Sequence, residues 1–360
     1  MSRLLNLIRL PLLTDEILLR VIKKHELCKN CKTCRDTIDR AVSSKKSRCK
    51  NEFENSKQFQ NRHHSCEFEG ERIVCIGGLG DLNDDATAIQ TSSEFRFRQS
   101  TFEKVSTTSK MVKRRIMSKA AVVGKKIYCF GGYSDCHELY KLNSCEVYCM
   151  ENDTWLQAAD LPFKAHYDYC YCAFMGKVFA LGAYRCFSYD PELNKWFEIS
   201  SMEAKRIYSS CAVFNGEVVV AGGEIHLRDE ALKSVESYDH HLNQWSFLPD
   251  MNVARVNVGL VAKGNKLYAI GGSSSTPYRD FNHSEVYDAF SNRFAFIFHR
   301  ETFVSTAYNR SHAFTFGNKI LLLLDDEYYV YDTSTNEMKN FKYCFEALSC
   351  SVVRLYKFLK

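Results

Sequence analysis

The stretch KIYCFGG, residues 126–132, decides the fold, because it returns in variant form along the whole chain. RIVCIGG occupies 72–78, KVFALGA 177–183, EVVVAGG 217–223 and KLYAIGG 266–272, and a degenerate ILLLLDD ends at Asp326. The turn positions Gly77, Gly131, Gly182, Gly222, Gly271 and Asp325 stand 54, 51, 40, 49 and 54 residues apart. Each run is apolar with little polar alternation, the pattern of a strand buried on both faces. Where such a strand turns sharply against another backbone, glycine alone avoids a Cβ clash. A unit repeating about every 50 residues predicts a radial array of small sheets, a β-propeller. The expected fold class is therefore all-β, with six blades.

Two further landmarks keep the same register. An aromatic is followed seven residues on by a second, as Tyr148/Trp155, Tyr189/Trp196, Tyr238/Trp245, Tyr287/Phe294 and, more weakly, Phe95/Phe102. Tyr331/Met338 keeps the spacing and loses the second ring. Asp190, Asp239, Asp288 and Asp332 each follow a first member, as where a strand enters a turn. Met and Arg recur four apart as Met111/Arg115, Met202/Arg206 and Met251/Arg255, a regularity that predicts a structural role for the arginines. Large aromatics at fixed positions fill the wedge between neighbouring blades. Before Arg72 the chain reads HHSCEFEGE, too polar for an innermost strand, whereas CSVVRLYKFL (350–359) is an apolar strand with no blade of its own. The prediction is a ring closed by its C-terminal strand, which completes the first blade. Loss of the last ten residues then destabilises the whole ring.

With these motifs in register the chain resembles the kelch-like family, which joins a BTB domain, a helical BACK domain and a kelch propeller. The propeller resemblance covers residues 66–360. LLNLIRLPLL (4–13) followed by CRDTIDRAV (34–42) resembles the closing helices of a BACK domain, through Leu10-Pro11-Leu12-Leu13 and Cys34-Arg35-Asp36. Thr14 suits an N-cap, with the acidic Asp15 and Glu16 in the first turn. The expected organisation is a short α-helical BACK remnant over 1–42, a polar linker over 43–65 and a six-bladed kelch propeller over 66–360. Nothing resembles a BTB domain, which reads as a sequence beginning inside a longer product rather than a short form. The resemblance implies a protein-interaction module, the substrate-recognition part of a cullin-3 RING E3 ubiquitin ligase adaptor. A target protein or peptide would sit on one propeller face, with cullin-3 reached through the missing BTB–BACK sequence or a partner chain. The alternative is an actin-binding cytoskeletal kelch protein, or a BTB-less scaffold or decoy.

Composition narrows the rest. At 360 residues the chain suits one large repeat domain with a small extension. A net charge of +5 is mild for this length, and the cluster Lys110, Lys113, Arg114 and Arg115 reads as a solvated loop, so no nucleic acid is expected. Arg9, Pro11, Asp15 and Glu16 interrupt the apolar N-terminus, which does not read as a signal peptide, and no stretch reads as a membrane span. The 16 cysteines scatter through buried-strand patterns (Cys75, Cys129, Cys170, Cys172, Cys211), as free thiols in a reducing cytosol would. The expected location is cytoplasmic, with cytoskeletal or nuclear association as variants.

Chemistry-bearing patterns are few. Cys28, Cys31 and Cys34, near His25, fall at helical spacing along one side, whereas zinc takes four tetrahedral ligands. Gly77-Gly78-Leu79-Gly80 follows a strand but precedes no helix and no Lys-Ser/Thr pair, so it reads as a blade turn and not a phosphate loop. The eleven histidines show no convergent placement and no G-x-S-x-G elbow occurs. No catalytic residue, metal or cofactor is expected, and the chain reads as a non-enzyme. Cys49, between Arg48 and Lys50, is the candidate redox-sensitive thiol, since positive neighbours favour thiolate.

Recognition in a propeller falls on the variable loops of one face. From each turn position to the next landmark aromatic the chain runs 18, 17, 7, 16, 16 and 6 residues for blades one to six. The short loops of blades three and six lie opposite each other in a six-blade ring. The expectation is a trough walled by two pairs of long loops, suited to an extended peptide. Candidate contacts are Tyr133, Tyr184, Arg185, Arg228 and Tyr278 in these loops, and Tyr208, Asn257 and Asn309 in those entering the innermost strands. Tyrosine and arginine most often dominate interface energetics.

Overall fold

The structure, a computed structural model, describes residues 72–78, 88–98, 101–134, 140–163, 169–226, 229–274, 281, 283–298, 312–324, 327–342 and 351–355. The chain divides into two units, Met1–Cys66 and Glu67–Lys360, and every described residue belongs to the second.

The first blade holds β1 (Arg72–Ile76), β2 (Ser92–Arg98) and β3 (Thr101–Thr107). The second is β4 (Lys119–Val123), β5 (Lys126–Phe130), β6 (Cys145–Cys149) and β7 (Thr154–Ala158). The third is β8 (Cys170–Phe174), β9 (Lys177–Leu181), β10 (Cys186–Asp190) and β11 (Lys195–Ile199). The fourth is β12 (Ser210–Phe214), β13 (Glu217–Ala221), β14 (Val235–Asp239) and β15 (Gln244–Leu248). The fifth is β16 (Gly259–Lys263), β17 (Lys266–Ile270), β18 (His283–Asp288) and β19 (Arg293–Phe298). The sixth is β20 (His312–Phe316), β21 (Lys319–Leu323), β22 (Glu327–Asp332) and β23 (Glu337–Lys342). The last strand, β24 (Ser351–Leu355), returns to the first blade and pairs antiparallel with β1, Val74 opposite Val353. Each of the six sheets has four strands, and the first runs in the order β24-β1-β2-β3.

The second strand of each blade is the most buried, as its unbroken apolar run requires: Ile127, Cys129, Val218, Val220 and Leu267 are all fully enclosed. Among the described residues an apolar core lies between each neighbouring pair of blades. Blades one and two share Val74, Ile127 and Trp155; blades two and three share Phe130, Val178 and Tyr189; blades three and four share Leu181, Val220 and Trp245. Blades four and five join through Val219 and Leu267, five and six through Ile270 and Ile320, and six and one through Phe316, Leu321 and Val352. Burying each such side chain contributes about 1.5–3 kcal/mol. The last core carries the C-terminal strand, so the ring closes through it.

One part of the expected fold class is corrected. The described residues contain no helix, so the described fold is a propeller alone, without a helical BACK remnant. The stretch 1–42 that carried that expectation, and the linker over 43–65, lie outside the described residues.

Candidate functional site

Strands alternate in direction, so the double-glycine connections and the linkers entering each innermost strand emerge at the same end of the ring. Backbone bridges tie them together there: Ile116 with Tyr133, Ile207 with Glu224 and Val256 with Ser273. The glycines make this approach possible. At Gly222, whose φ is +67°, a Cβ would stand 2.4 Å from the Arg255 carbonyl oxygen. Gly223 next to it donates its N–H to that same oxygen at 2.8 Å.

The recurrent arginines are the frame of this face. Arg115, Arg206 and Arg255 are fully buried, so Arg115 is not part of a solvated loop. Arg255 donates to the carbonyls of Gly271 (2.6 Å) and His283 (3.0 Å) and to the Glu285 carboxylate (3.0 Å). The Glu285 carboxylate also accepts the backbone N–H groups of Asn252 (2.6 Å) and Val253 (3.0 Å). Glu146 receives Val112, Lys113 and Arg115 in the same way, and Glu236 receives Glu203, Ala204 and Arg206. Burial pulls the Arg255 pKa down, and the Glu285 charge opposes that pull. Sequence reading found the arginines and missed the glutamates. Their signal is Glu two residues before the first landmark tyrosine, in CEVY, VESY and SEVY.

Blade three replaces the whole arrangement. By strand register Phe187 stands where Glu146 stands in blade two. Residues 161–169 of the entering linker hold no arginine, and Pro162 removes one of the N–H groups the missing carboxylate would have accepted. Phe163 fills the space, stacked on Tyr169 at 4.1 Å and on Phe187 at 5.0 Å between ring centroids. The frame's carboxylate, its arginine and one of the two backbone donors are thus absent together from this blade.

A second set of bonds clamps the linkers entering blades two, three and four onto the blade that follows. Trp155, Trp196 and Trp245 donate their indole N–H to the carbonyls of Ser109, Ala159 and Ser200, at 2.8–3.1 Å. The same three residues donate their N–H to Asp153, Asn194 and Asn243. Those side chains also accept the hydroxyl of Tyr148, Tyr189 and Tyr238. Each sits at φ near +50°, a backbone that Asn and Asp tolerate better than most residues.

Above this frame the face is uneven. The connections 182–185 of blade three and 324–326 of blade six are short, while 77–91, 131–144, 222–234 and 271–282 are long. Tyr184 is 61% exposed in the short blade-three loop, with the Lys205 ammonium 4.9 Å from its ring centroid. Arg185 beside it pairs with Glu198 at 2.7 Å and lies over the Phe187 ring. Tyr208 and Asn257 are half-buried at positive φ and meet directly, the Asn257 N–H donating to the Tyr208 carbonyl at 3.0 Å. Tyr133 is corrected: it is buried against Ala88 and Ile116, so it cannot serve as an exposed contact. Arg228, Tyr278, Asn309 and Cys49 lie outside the described residues.

The innermost strands surround a central channel of about 390 Å³. Among the described residues its wall includes Lys119, His312 and Arg354 but no carboxylate, and Cys170, Cys172 and Cys211 line it from β8 and β12. Hydrogen bonding to Cys211, followed by burial, holds the Cys170 thiol well above its ordinary range. Cys186, deeper in blade three, is pushed up to about 12 by burial.

Comparison with known proteins agrees with the repeat reading. The Kelch motif is matched at residues 114–162 and 205–252, which are blades two and four with their entering linkers. Human Kelch-like protein 23 is 27% identical over 164 residues, 45% of this chain and 28% of that protein. Zebrafish (Danio rerio) Kelch repeat and BTB domain-containing protein 12 is 28% identical over 118 residues, covering 28% of this chain and 19% of that protein. These matches span less than a third of the relatives' own length. Among solved structures, that of YjhT aligns with a TM-score of 0.58 at 10% identity, covering 76% of this chain and 97% of that one, a likeness of fold. The described chain is a kelch-repeat β-propeller related to the kelch-like proteins.

Proposed function

We propose that this chain is a non-enzymatic recognition module that grips an extended segment of a target protein on its double-glycine face, as the substrate-holding part of a cullin-3 ubiquitin ligase adaptor. The unevenness of that face carries the reading. Two opposite blades have short connections, 182–185 and 324–326, between two pairs of long ones. An extended segment fits such a trough better than a compact domain does. Tyr184 and Lys205, exposed on the low side at blade three, supply an aromatic face and a charge at its floor. One relative carries a BTB domain in its name, and a BTB-bearing segment or partner chain would bring the ubiquitin-transferring machinery here.

The test is cross-linking mass spectrometry on the protein captured with its target from cells, repeated for Tyr184→Ala with Lys205→Glu. Cross-links should fall on 131–144 and 222–234, the double variant should lose them, and depletion of cullin-3 should raise target abundance. Cross-links confined to the hairpin turns of the opposite face would refute the site. Co-sedimentation with actin filaments, with target abundance indifferent to cullin-3, would favour the cytoskeletal alternative.

A further inference from the structure

The wall of the central channel is divided by charge. Its basic side chains come from three consecutive innermost strands around the ring: His312 on β20, Arg354 on β24 and Lys119 on β4. The described wall on the other three, β8, β12 and β16, carries no charged side chain and includes Tyr171, Ala212, Val213, Leu260 and Val261. Register fixes the heights. Lys119 pairs with Phe130 and His312 with Leu323, so both stand first on their strands, at the double-glycine mouth. Ser351 holds that first place on β24, opposite Ile76, and Arg354 pairs three residues further down with Ile73. At roughly 3.4 Å per residue Arg354 therefore lies about 10 Å deeper, on the strand between the other two. Its guanidinium is fixed there: Nη1 donates to the Thr315 carbonyl, and the group lies 4.4 Å from the centroid of the buried Phe316 ring. On β20 the rings of His312 and Phe314 stack nearly parallel, with centroids 6.5 Å apart.

We propose that the channel binds an amphipathic organic anion, a carboxylate on an apolar body, with its head on the β20–β24–β4 wall and its body on the wall opposite. The volume of about 390 Å³ lies within the roughly 300–1,000 Å³ of small-molecule sites, which are mostly apolar with a few placed polar groups. Lys119 and Arg354 bring two positive charges, and among the described wall residues there is no carboxylate to oppose them. A cleft of one sign between low-dielectric walls concentrates ions of the other sign. The head is drawn by the sign of this wall, and Arg354 keeps its bond to Thr315 while it contributes. The neutral wall rewards apolar surface that leaves water. An inorganic anion uses only the first wall and a neutral apolar molecule only the second, so a ligand carrying both parts fits the whole channel. The inference stands apart from the proposed grip on a target protein.

Isothermal titration calorimetry on the full-length protein compares three probes: naphthoate, its neutral amide and inorganic phosphate. Naphthoate should bind at least about tenfold more tightly than either, since the amide lacks the charge and phosphate lacks the apolar body. That comparison needs no variant to fold. Lys119→Met should weaken naphthoate about tenfold and leave the amide unchanged, which separates a lost charge from a damaged channel. Lys195→Met removes an exposed ammonium 5.5 Å from the Phe197 ring centroid, on the outer strand of blade three, and should change nothing. Three results would each overturn the proposal: naphthoate binding no tighter than the amide or phosphate, no naphthoate binding at millimolar concentration, or weakening by Lys195→Met in place of Lys119→Met.

Discussion

Glu285→Ala removes the acceptor at the centre of the blade-five frame, and its cost can be worked from the bonds it leaves open. The Arg255 guanidinium keeps the carbonyls of Gly271 and His283 but loses its counter-charge while remaining fully buried. Breaking one partner of a buried ion pair costs about 3–5 kcal/mol. The N–H groups of Asn252 and Val253 lose their acceptor as well, but the new cavity admits water to them, so the terms do not add in full. The expected total is about 4 kcal/mol, a fall in Tm of about 10 °C for a domain of this size. Blade three then suggests the rescue. A triple variant, Glu285→Phe with Arg255→Leu and Asn252→Pro, removes charge, counter-charge and donor together, as Phe187, the arginine-free linker and Pro162 already do there. It should recover at least half of the loss in differential scanning calorimetry. A Tm change under about 3 °C for Glu285→Ala, or a triple variant worse than the single, would refute the idea that the carboxylate organises the linker.

Further outcomes follow from other bonds. Trp245→Phe loses the indole bond to Ser200 and part of a buried ring, both of which Phe294 in blade five does without, so urea unfolding should show a loss of about 1–3 kcal/mol. Deleting residues 351–360 removes β24 and should abolish cooperative unfolding by circular dichroism, where a frayed tail would leave the transition intact. Asp190 and Asp239 are held below their usual 3.8, chiefly by the backbone N–H groups of Leu193 and Leu242. A folded-state pKa below the unfolded one gives stability that is complete above about pH 4 and lost as pH falls through the lower folded value. Acid titration of Asp190→Asn/Asp239→Asn should therefore show a shallower loss of stability below pH 4 than wild type.

The repeats made the propeller legible because each blade solves the same packing problem with the same residues. Closure was legible for a related reason: the apolar strand at 350–359 had no blade of its own, and the first blade lacked one strand. The frame was half legible. An arginine four residues after a methionine stands out, whereas Glu146, Glu236 and Glu285 hide inside strands where a polar residue at alternate positions is ordinary. Tyr133 misled because it follows a double glycine like a loop-tip residue, yet its bridge to Ile116 turns the ring inward over Ala88. Tyr208 and Asn257 sit one repeat apart, so their equivalence could be read but their direct bond could not.

The C-terminal strand also has a consequence for synthesis. The first blade's β1 leaves the ribosome with Val74 and Ile76 on an edge that waits for Ser351–Leu355, some 275 residues later. At roughly 5–20 residues per second that interval is about 15–55 s. Until it ends, an apolar strand of the nascent chain lies open to pairing with other chains. The codons of β24 therefore guard the first blade, and a premature stop just before them would release a chain left with an unsealed β edge.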